Sequence, residues 1–136
     1  MAGNIRLEVV TPEASVVSEN AQIVVAPGSL GEFGALIGHT PFLTTLKMGV
    51  LRYKAADGVE KSVFISSGFA EVLPGKVTVL AESAESRRDI DIERVKKAVK
   101  RAQERLASKK PDINYERAKA SLQRALYRIR VAETKK

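Results

Sequence analysis

Apolar and polar residues alternate through Ile5-Arg6-Leu7-Glu8-Val9-Val10, and the run stops at Thr11-Pro12. A period of two marks a strand with one face on a core. Short apolar or β-branched runs recur at 14–17, 21–26, 33–37, 42–46, 50–54, 61–65, 69–73 and 76–80, broken by Pro27-Gly28, Gly38, Pro41 and Gly49. Asp57-Gly58 and Pro74-Gly75 each stand between two runs, which predicts hairpins there. About ten short strands in this stretch predict a sandwich or flattened barrel, closed by packing two layers on each other.

At Ala81 the period changes. Ala81–Arg88 is small and charged, and reads as a linker. Asp89 or Asp91 is placed to cap a helix, because a carboxylate accepts the orphan N–H groups of a first turn. Val95, Ala98, Val99, Ala102 and Leu106 then share one helical face. Ser108-Lys109-Lys110-Pro111 ends that helix, and Asp112 or Asn114 restarts the chain as a second one. Ala118, Leu122, Ala125, Ile129 and Ala132 form the second stripe. Two helices of about 16 and 20 residues with a short connection predict an antiparallel hairpin. The facing stripes are mostly alanine, so at about 25 cal/mol per Å² their burial contributes little, and the hairpin is expected to be weakly held. The fold class is α+β: a sandwich over 1–84, then a helical hairpin over 85–136.

Charge sharpens this division. Residues 1–84 carry six Lys/Arg against eight Asp/Glu, net −2, whereas 85–136 carry 17 against eight, net +9. All nine glycines lie between Gly3 and Gly75. Two halves so different are expected to serve different partners. The chain has no Cys and a single His, which excludes disulfides, thiolate metal sites, a Cys nucleophile and a His pair. No apolar run approaches the ~20 residues that span a bilayer. Met1-Ala2-Gly3-Asn4 lacks the basic start and apolar stretch of a secretory signal, so an intracellular location is expected.

Three groups of residues bear on chemistry. Pro27-Gly28-Ser29-Leu30-Gly31-Glu32-Phe33-Gly34 is glycine-rich but lacks the Gly-Lys-Ser/Thr end of a phosphate loop, so turns are the simpler use. His39, between Gly38 and Thr40-Pro41, has no visible carboxylate or nucleophile partner, and a structural or interface role is expected. Arg94, Lys97, Arg101 and Arg105 share a face of the first helix, and Arg117, Arg124 and Arg128 a face of the second. Guanidinium forks converging in this way suit a phosphate or an acidic protein surface. Glu85, Asp89 and Asp91 precede them, with capping and local ion pairing as their expected roles.

Val25-Ala26-Pro27-Gly28, then Gly31-Glu32-Phe33-Gly34-Ala35-Leu36-Ile37-Gly38-His39-Thr40-Pro41-Phe42-Leu43-Thr44 and Leu46-Lys47-Met48-Gly49, resemble the signature of the epsilon subunit of F-type proton-translocating ATP synthases. So do Ser67-Gly68-Phe69-Ala70-Glu71-Val72 and the ending from Arg117-Ala118 to Arg124-Ala125-Leu126-Tyr127-Arg128-Ile129. The resemblance implies a non-catalytic subunit of the central stalk. Its sandwich would bind the gamma subunit and the c-ring, with Gly31, Gly34, His39 and Pro41 as rotor-interface residues. Its hairpin would extend toward the alpha/beta head and restrain ATP hydrolysis. The location implied is the cytoplasmic side of the plasma membrane, peripheral through the complex.

The resemblance also implies a regulatory ATP site on the folded hairpin, with no metal site and no required cofactor. Ile90-Asp91-Ile92-Glu93-Arg94-Val95 is similar to the family's ATP motif, with Val95 in place of a small Ala. Carried over residue by residue, the site comprises Glu85, Ile90, Asp91, Arg94, Arg101, Arg124 and Arg128. The competing reading is a basic nucleic-acid-binding module, although only Tyr115 and Tyr127 offer rings for stacking near the basic face. An enzyme is poorly supported, since one His and no Cys supply no acid–base–nucleophile set.

Overall fold

A computed structural model describes residues 3–133. The signal reading on Met1 and Ala2, and the last three residues of the 85–136 module, lie outside the described residues. The chain runs β1 (Ile5–Val10), β2 (Ser15–Gly28), β3 (Gly31–Ala35), β4 (Phe42–Leu46), β5 (Gly49–Ala55), β6 (Glu60–Ile65), β7 (Gly68–Leu73), β8 (Lys76–Ala81) and β9 (Ala84–Ser86). A 3-10 turn at Arg87–Asp89 leads to α1 (Ile92–Ala107) and α2 (Tyr115–Ala132). The expected β-sandwich followed by an antiparallel helical hairpin is the observed architecture, and the described residues form nine strands.

The sheet runs β1-β8-β7-β4-β2-β5-β6-β9, with β3 on β2 and β1 also paired to β2. Strand β2 makes this two-layered. Its first half pairs with β1, and its second half pairs with β5 and β3. Between Ala21 and Ile23 its register with β5 slips, the kind of irregularity that bends a strand from one layer to the next. The sequence divides this strand into runs at 14–17 and 21–26; it is continuous because Ser18-Glu19-Asn20 stays paired with β1.

Alternation fills the core. Ile5, Leu7 and Val9 on β1 are fully buried, beside Val77 and Val79 of the neighbouring β8 and in one cluster with Leu51 and Tyr53 of β5 and Val63 and Ile65 of β6. Both expected hairpins form: β5 and β6 join through a turn in which Gly58 takes φ +88°, and β7 and β8 join through Pro74-Gly75. Gly68 opens β7 where a Cβ would sit 2.1 Å from the Leu80 carbonyl oxygen, so only glycine permits that pairing.

Two boundary readings are corrected. The 33–37 run yields a strand that starts and ends earlier, because β3 zips from the Gly28–Gly31 pair and leaves Leu36 and Ile37 in an exposed loop. Ala81–Arg88 is not a free linker: Ala84–Ser86 pairs with Val63–Ile65 as β9, and the 3-10 turn follows at once.

Both helix starts are capped by side chains. Asp91, rather than Asp89, accepts from the Arg94 backbone N–H at 3.1 Å, and Asn114, rather than Asp112, accepts from the Arg117 N–H at 3.0 Å. The C-terminal half of the 18-residue α2 lies against β5, β6 and the 3-10 turn, and α1 packs along α2. Val95, Ala102, Ala118, Ala125 and Ala132 of the two stripes are buried, so the predicted seam is the real one. Strand β6 is consequently buried on both sides. Val63 and Ile65 face the core, while Phe64 faces outward and is covered by Val95, Ala125, Val131 and Ala132.

Candidate functional site

Two regions collect the residues singled out by the sequence. The first is the junction of β9, the 3-10 turn and the hairpin. Glu85 projects from β9, and Arg128 from α2 donates to it, Nε to Oε1, at 3.0 Å. The same guanidinium lies 4.7 Å from the centroid of the Phe64 ring, a cation–π arrangement over a buried aromatic. Ile90 belongs to the apolar cluster beneath the hairpin, together with Phe64, Val95 and Ala125. The branched side chain of Val95, which departs from the expected motif, is therefore absorbed by packing.

The other expected ligand residues of this region are spread over the helices. Asp91 is occupied as a cap. Arg94 and Arg101 are exposed on α1, and Arg124 donates to Ser121 Oγ at 3.0 Å. The geometry thus joins Glu85 directly to Arg128, and no ion pair among the described residues involves Arg94, Arg101 or Arg124. A surplus of unneutralised guanidinium groups beside one compensated pair suits an anion of several charges.

The second region is the set Gly31, Gly34, His39 and Pro41. Gly31 opens β3 at φ +140°, a conformation that side chains other than glycine rarely adopt. Gly34 pairs with Val25 inside β3. His39 lies in the following loop, where its Nδ1–H donates to the Thr40 carbonyl at 2.6 Å and its backbone N–H to the Leu36 carbonyl at 3.1 Å. The Gly38 N–H bonds the Pro74 carbonyl at 2.6 Å, which ties this loop to the β7–β8 turn. Pro41 is exposed just before β4. These four do not meet at a point: β3, a five-residue strand about 16 Å long, separates Gly31 from the His39 loop.

Sequence reading missed the broad feature between these ends. The outer face of β4, β7, β8 and β1 is laid out in rows by the register. Thr45, Phe69, Leu80 and Val10 form one row, and Leu43, Glu71, Thr78 and Glu8 the next. Leu43 is 71% exposed, Phe69 55% and Leu80 56%. An open groove of about 660 Å³ runs beside the first row, lined by Val10, Pro12, Thr45, Phe69 and Leu80. The signal was present: Phe69-Ala70-Glu71-Val72-Leu73 is apolar at both parities, which a strand with one wet face does not need. Exposed apolar area of this kind marks a surface that another molecule covers.

Comparison with known proteins places these features. Residues 4–87 match the family described as ATP synthase, delta/epsilon chain, beta-sandwich domain. Residues 88–133 match ATP synthase, delta/epsilon chain, long alpha-helix domain. The chain is 62% identical over 135 residues to the ATP synthase epsilon chain of Desulforapulum autotrophicum, covering 99% of this chain and 100% of that one. It is 52% identical over 133 residues to the ATP synthase epsilon chain of Syntrophobacter fumaroxidans, covering 98% of each. Among solved structures, a chain of the Euglena gracilis mitochondrial ATP synthase shares the fold with a TM-score of 0.78 at 23% identity, over 96% of this chain and 82% of that one.

Proposed function

The chain belongs to the ATP synthase epsilon-chain family, and from that premise we propose that it is a non-catalytic subunit of the central stalk that couples rotation to catalysis and restrains ATP hydrolysis through its C-terminal helices. The observation that carries this reading is the pair of unlike outer faces on one sandwich. The uncovered β4–β7–β8 face is offered as the seat of the gamma subunit. The exposed Leu30-Gly31 turn and the Leu36–Pro41 loop, at opposite ends of β3, are offered as rotor contacts that include the c-ring. In this reading the protein is peripheral to the membrane, on the cytoplasmic side of the plasma membrane, and held there through the complex. No helix among the described residues is long and apolar enough to cross a bilayer.

The hairpin supplies the regulation. Its seam is built mainly from Ala102, Ala118, Ala125 and Ala132, so separating the helices uncovers little apolar surface. A few kcal/mol between docked and extended states lets a ligand of modest affinity choose between them. ATP fits the chemistry of the docked state: Arg94, Arg101, Arg124 and Arg128 would meet the phosphates, while Glu85 and Asp91 accept from polar groups of the nucleoside and Ile90 adds apolar contact. Binding only the docked form stabilises it by mass action. The extended, positively charged helices would instead be drawn to acidic surfaces of the alpha/beta head.

Titration of the full chain with ATP by calorimetry tests the ligand. Heat should saturate below millimolar ATP and weaken at least about tenfold in Arg94→Ala, as expected for losing a charge-assisted phosphate contact. An absence of heat at millimolar ATP, or an unchanged isotherm in the variant, rejects it. The competing nucleic-acid reading yields to family membership over the whole chain.

A further inference from the structure

The contacts that fix the hairpin to the sandwich are concentrated at one end of α2, and they are charged in an ordered way. On the sandwich side stand Glu85 of β9 and Arg87 of the 3-10 turn, two positions apart. On the helix side stand Arg128 and the carbonyl of Ala132, one helical turn apart. Glu85 accepts from Arg128, and Arg87 Nε donates to the Ala132 carbonyl at 3.2 Å. Carbonyls in the last turn of a helix carry the negative end of its dipole, so both contacts pair opposite charge. The Phe64 ring, fully buried, floors the first contact, and Val131, also fully buried, packs in the same cluster.

We propose that these two contacts form an electrostatic register key, which both holds α2 on the sandwich and fixes where along the sandwich it docks. The side chains that α2 sets in the apolar cluster, Ala125, Val131 and Ala132, carry no charge with which to tell positions one turn apart. The charges do discriminate. A slip of one turn in one direction sets Arg87 against Arg128, with two guanidinium groups facing each other. A slip in the other direction sets the Glu85 carboxylate against the Ala132 carbonyl, with two acceptors facing each other. Only the observed register satisfies both ends. The key thereby presents the arginines of α2 at fixed positions beside α1. Its geometry stands independently of the nucleotide proposal, although Glu85 and Arg128 are common to both.

The test is hydrogen exchange on the full chain without nucleotide, so that failure of the ATP reading leaves it unaffected. Glu85→Gln, Arg128→Gln and the double variant form a cycle, with strand amides reporting that the sandwich stays folded. Each single variant should speed exchange across residues 123–132 by about threefold to tenfold, and the double variant should be no faster than the quicker single. Arg87→Gln should speed the last turn of α2 independently, by about threefold. Unchanged exchange in Arg128→Gln overturns the proposal. So does a double variant whose acceleration equals the product of the two singles. Equal acceleration of strand and helix amides also overturns it, because α2 would then open only with the whole fold.

Discussion

The two outer faces of the sandwich are solved in opposite ways. The β5–β6 face is closed by the chain itself: Phe64, with Met48 and Val50 beside it, lies under Val95, Ala125 and Val131. The β4–β7–β8 face leaves Leu43, Phe69 and Leu80 more than half exposed. Fully burying a side chain of this size is worth roughly 1.5–3 kcal/mol, so three left open together represent binding energy not yet used. On the covered face the large side chain, Phe64, belongs to the sandwich, and the helices meet it with Val95, Ala125, Val131 and Ala132. A partner intended to stay meets Leu and Phe, while a cover intended to leave is built from alanine and valine and fastened by arginine.

The largest effect should come from spoiling the open face. Leu43→Glu places a new carboxylate in the row that already holds Glu71 and Glu8, and Phe69→Glu places another in the apolar row beside it. Binding to the gamma subunit, measured by calorimetry, should weaken roughly 100-fold or more, the scale of losing two central anchors. The melting temperature of the isolated chain should shift by no more than about 2 °C, because neither side chain belongs to the core. Undiminished binding would move the gamma interface to another face and dissolve the contrast.

A smaller effect is expected from removing the cover. A chain ending at Asp89 keeps β9 and the 3-10 turn while losing both helices. The sandwich core contains no helical residue, so the strands should remain folded and melt only about 5 °C lower. Exposed Phe64, Val50 and Met48 should then drive self-association, visible in light scattering. In the assembled enzyme this truncation should raise ATPase activity. Loss of the strand signal in the truncated chain would mean that the hairpin is structural and not a removable lid.

What the sequence revealed follows the same division. Strands with one buried face declare themselves by alternation, and β1, β5 and β8 were readable for that reason. The helical stripes were equally plain, down to Val95, Ala102 and Ala125. Strand β6 hid its second burial, since Phe64 between Val63 and Ile65 reads as one more apolar residue in a run. Strand β9 was unreadable because three residues, Ala84-Glu85-Ser86, carry no period and exist as a strand only by pairing with Val63–Ile65. The arginine set was legible as a face but not as a contact. That Arg128 meets Glu85, 43 positions earlier, depends on how the hairpin lies against β6. The capping roles were narrowed to two choices at each helix, and only the backbone geometry chose Asp91 and Asn114.

The smallest effect belongs to the core that both faces share. Tyr53 of β5 is 6% exposed, donates its hydroxyl to Glu19 Oε2 at 2.7 Å, and shares that carboxylate with Lys61 Nζ at 3.1 Å. Burial first, then the hydrogen bond and charge of Glu19, push its pKa well above the ordinary 10.0, with Arg88 opposing. A folded-state pKa above the unfolded one means that the unfolded chain loses its proton first as pH rises. The neutral phenol therefore contributes stability fully below about pH 10, and that contribution is lost as pH climbs beyond it. Tyr53→Phe should cost about 1 kcal/mol at neutral pH, because one hydrogen bond is removed while Lys61 still compensates Glu19. Above pH 10 the variant should lose stability less steeply than the parent, as read from urea midpoints. Because β5 turns Tyr53 into the core and Val50 toward the hairpin, while β2 links both layers, the alkaline loss should open the covered and uncovered faces together. Hydrogen exchange that rises with pH beyond the intrinsic chemical rate on α2 alone would locate the weak point in the docking of the hairpin, and the core would then not be what couples the two faces.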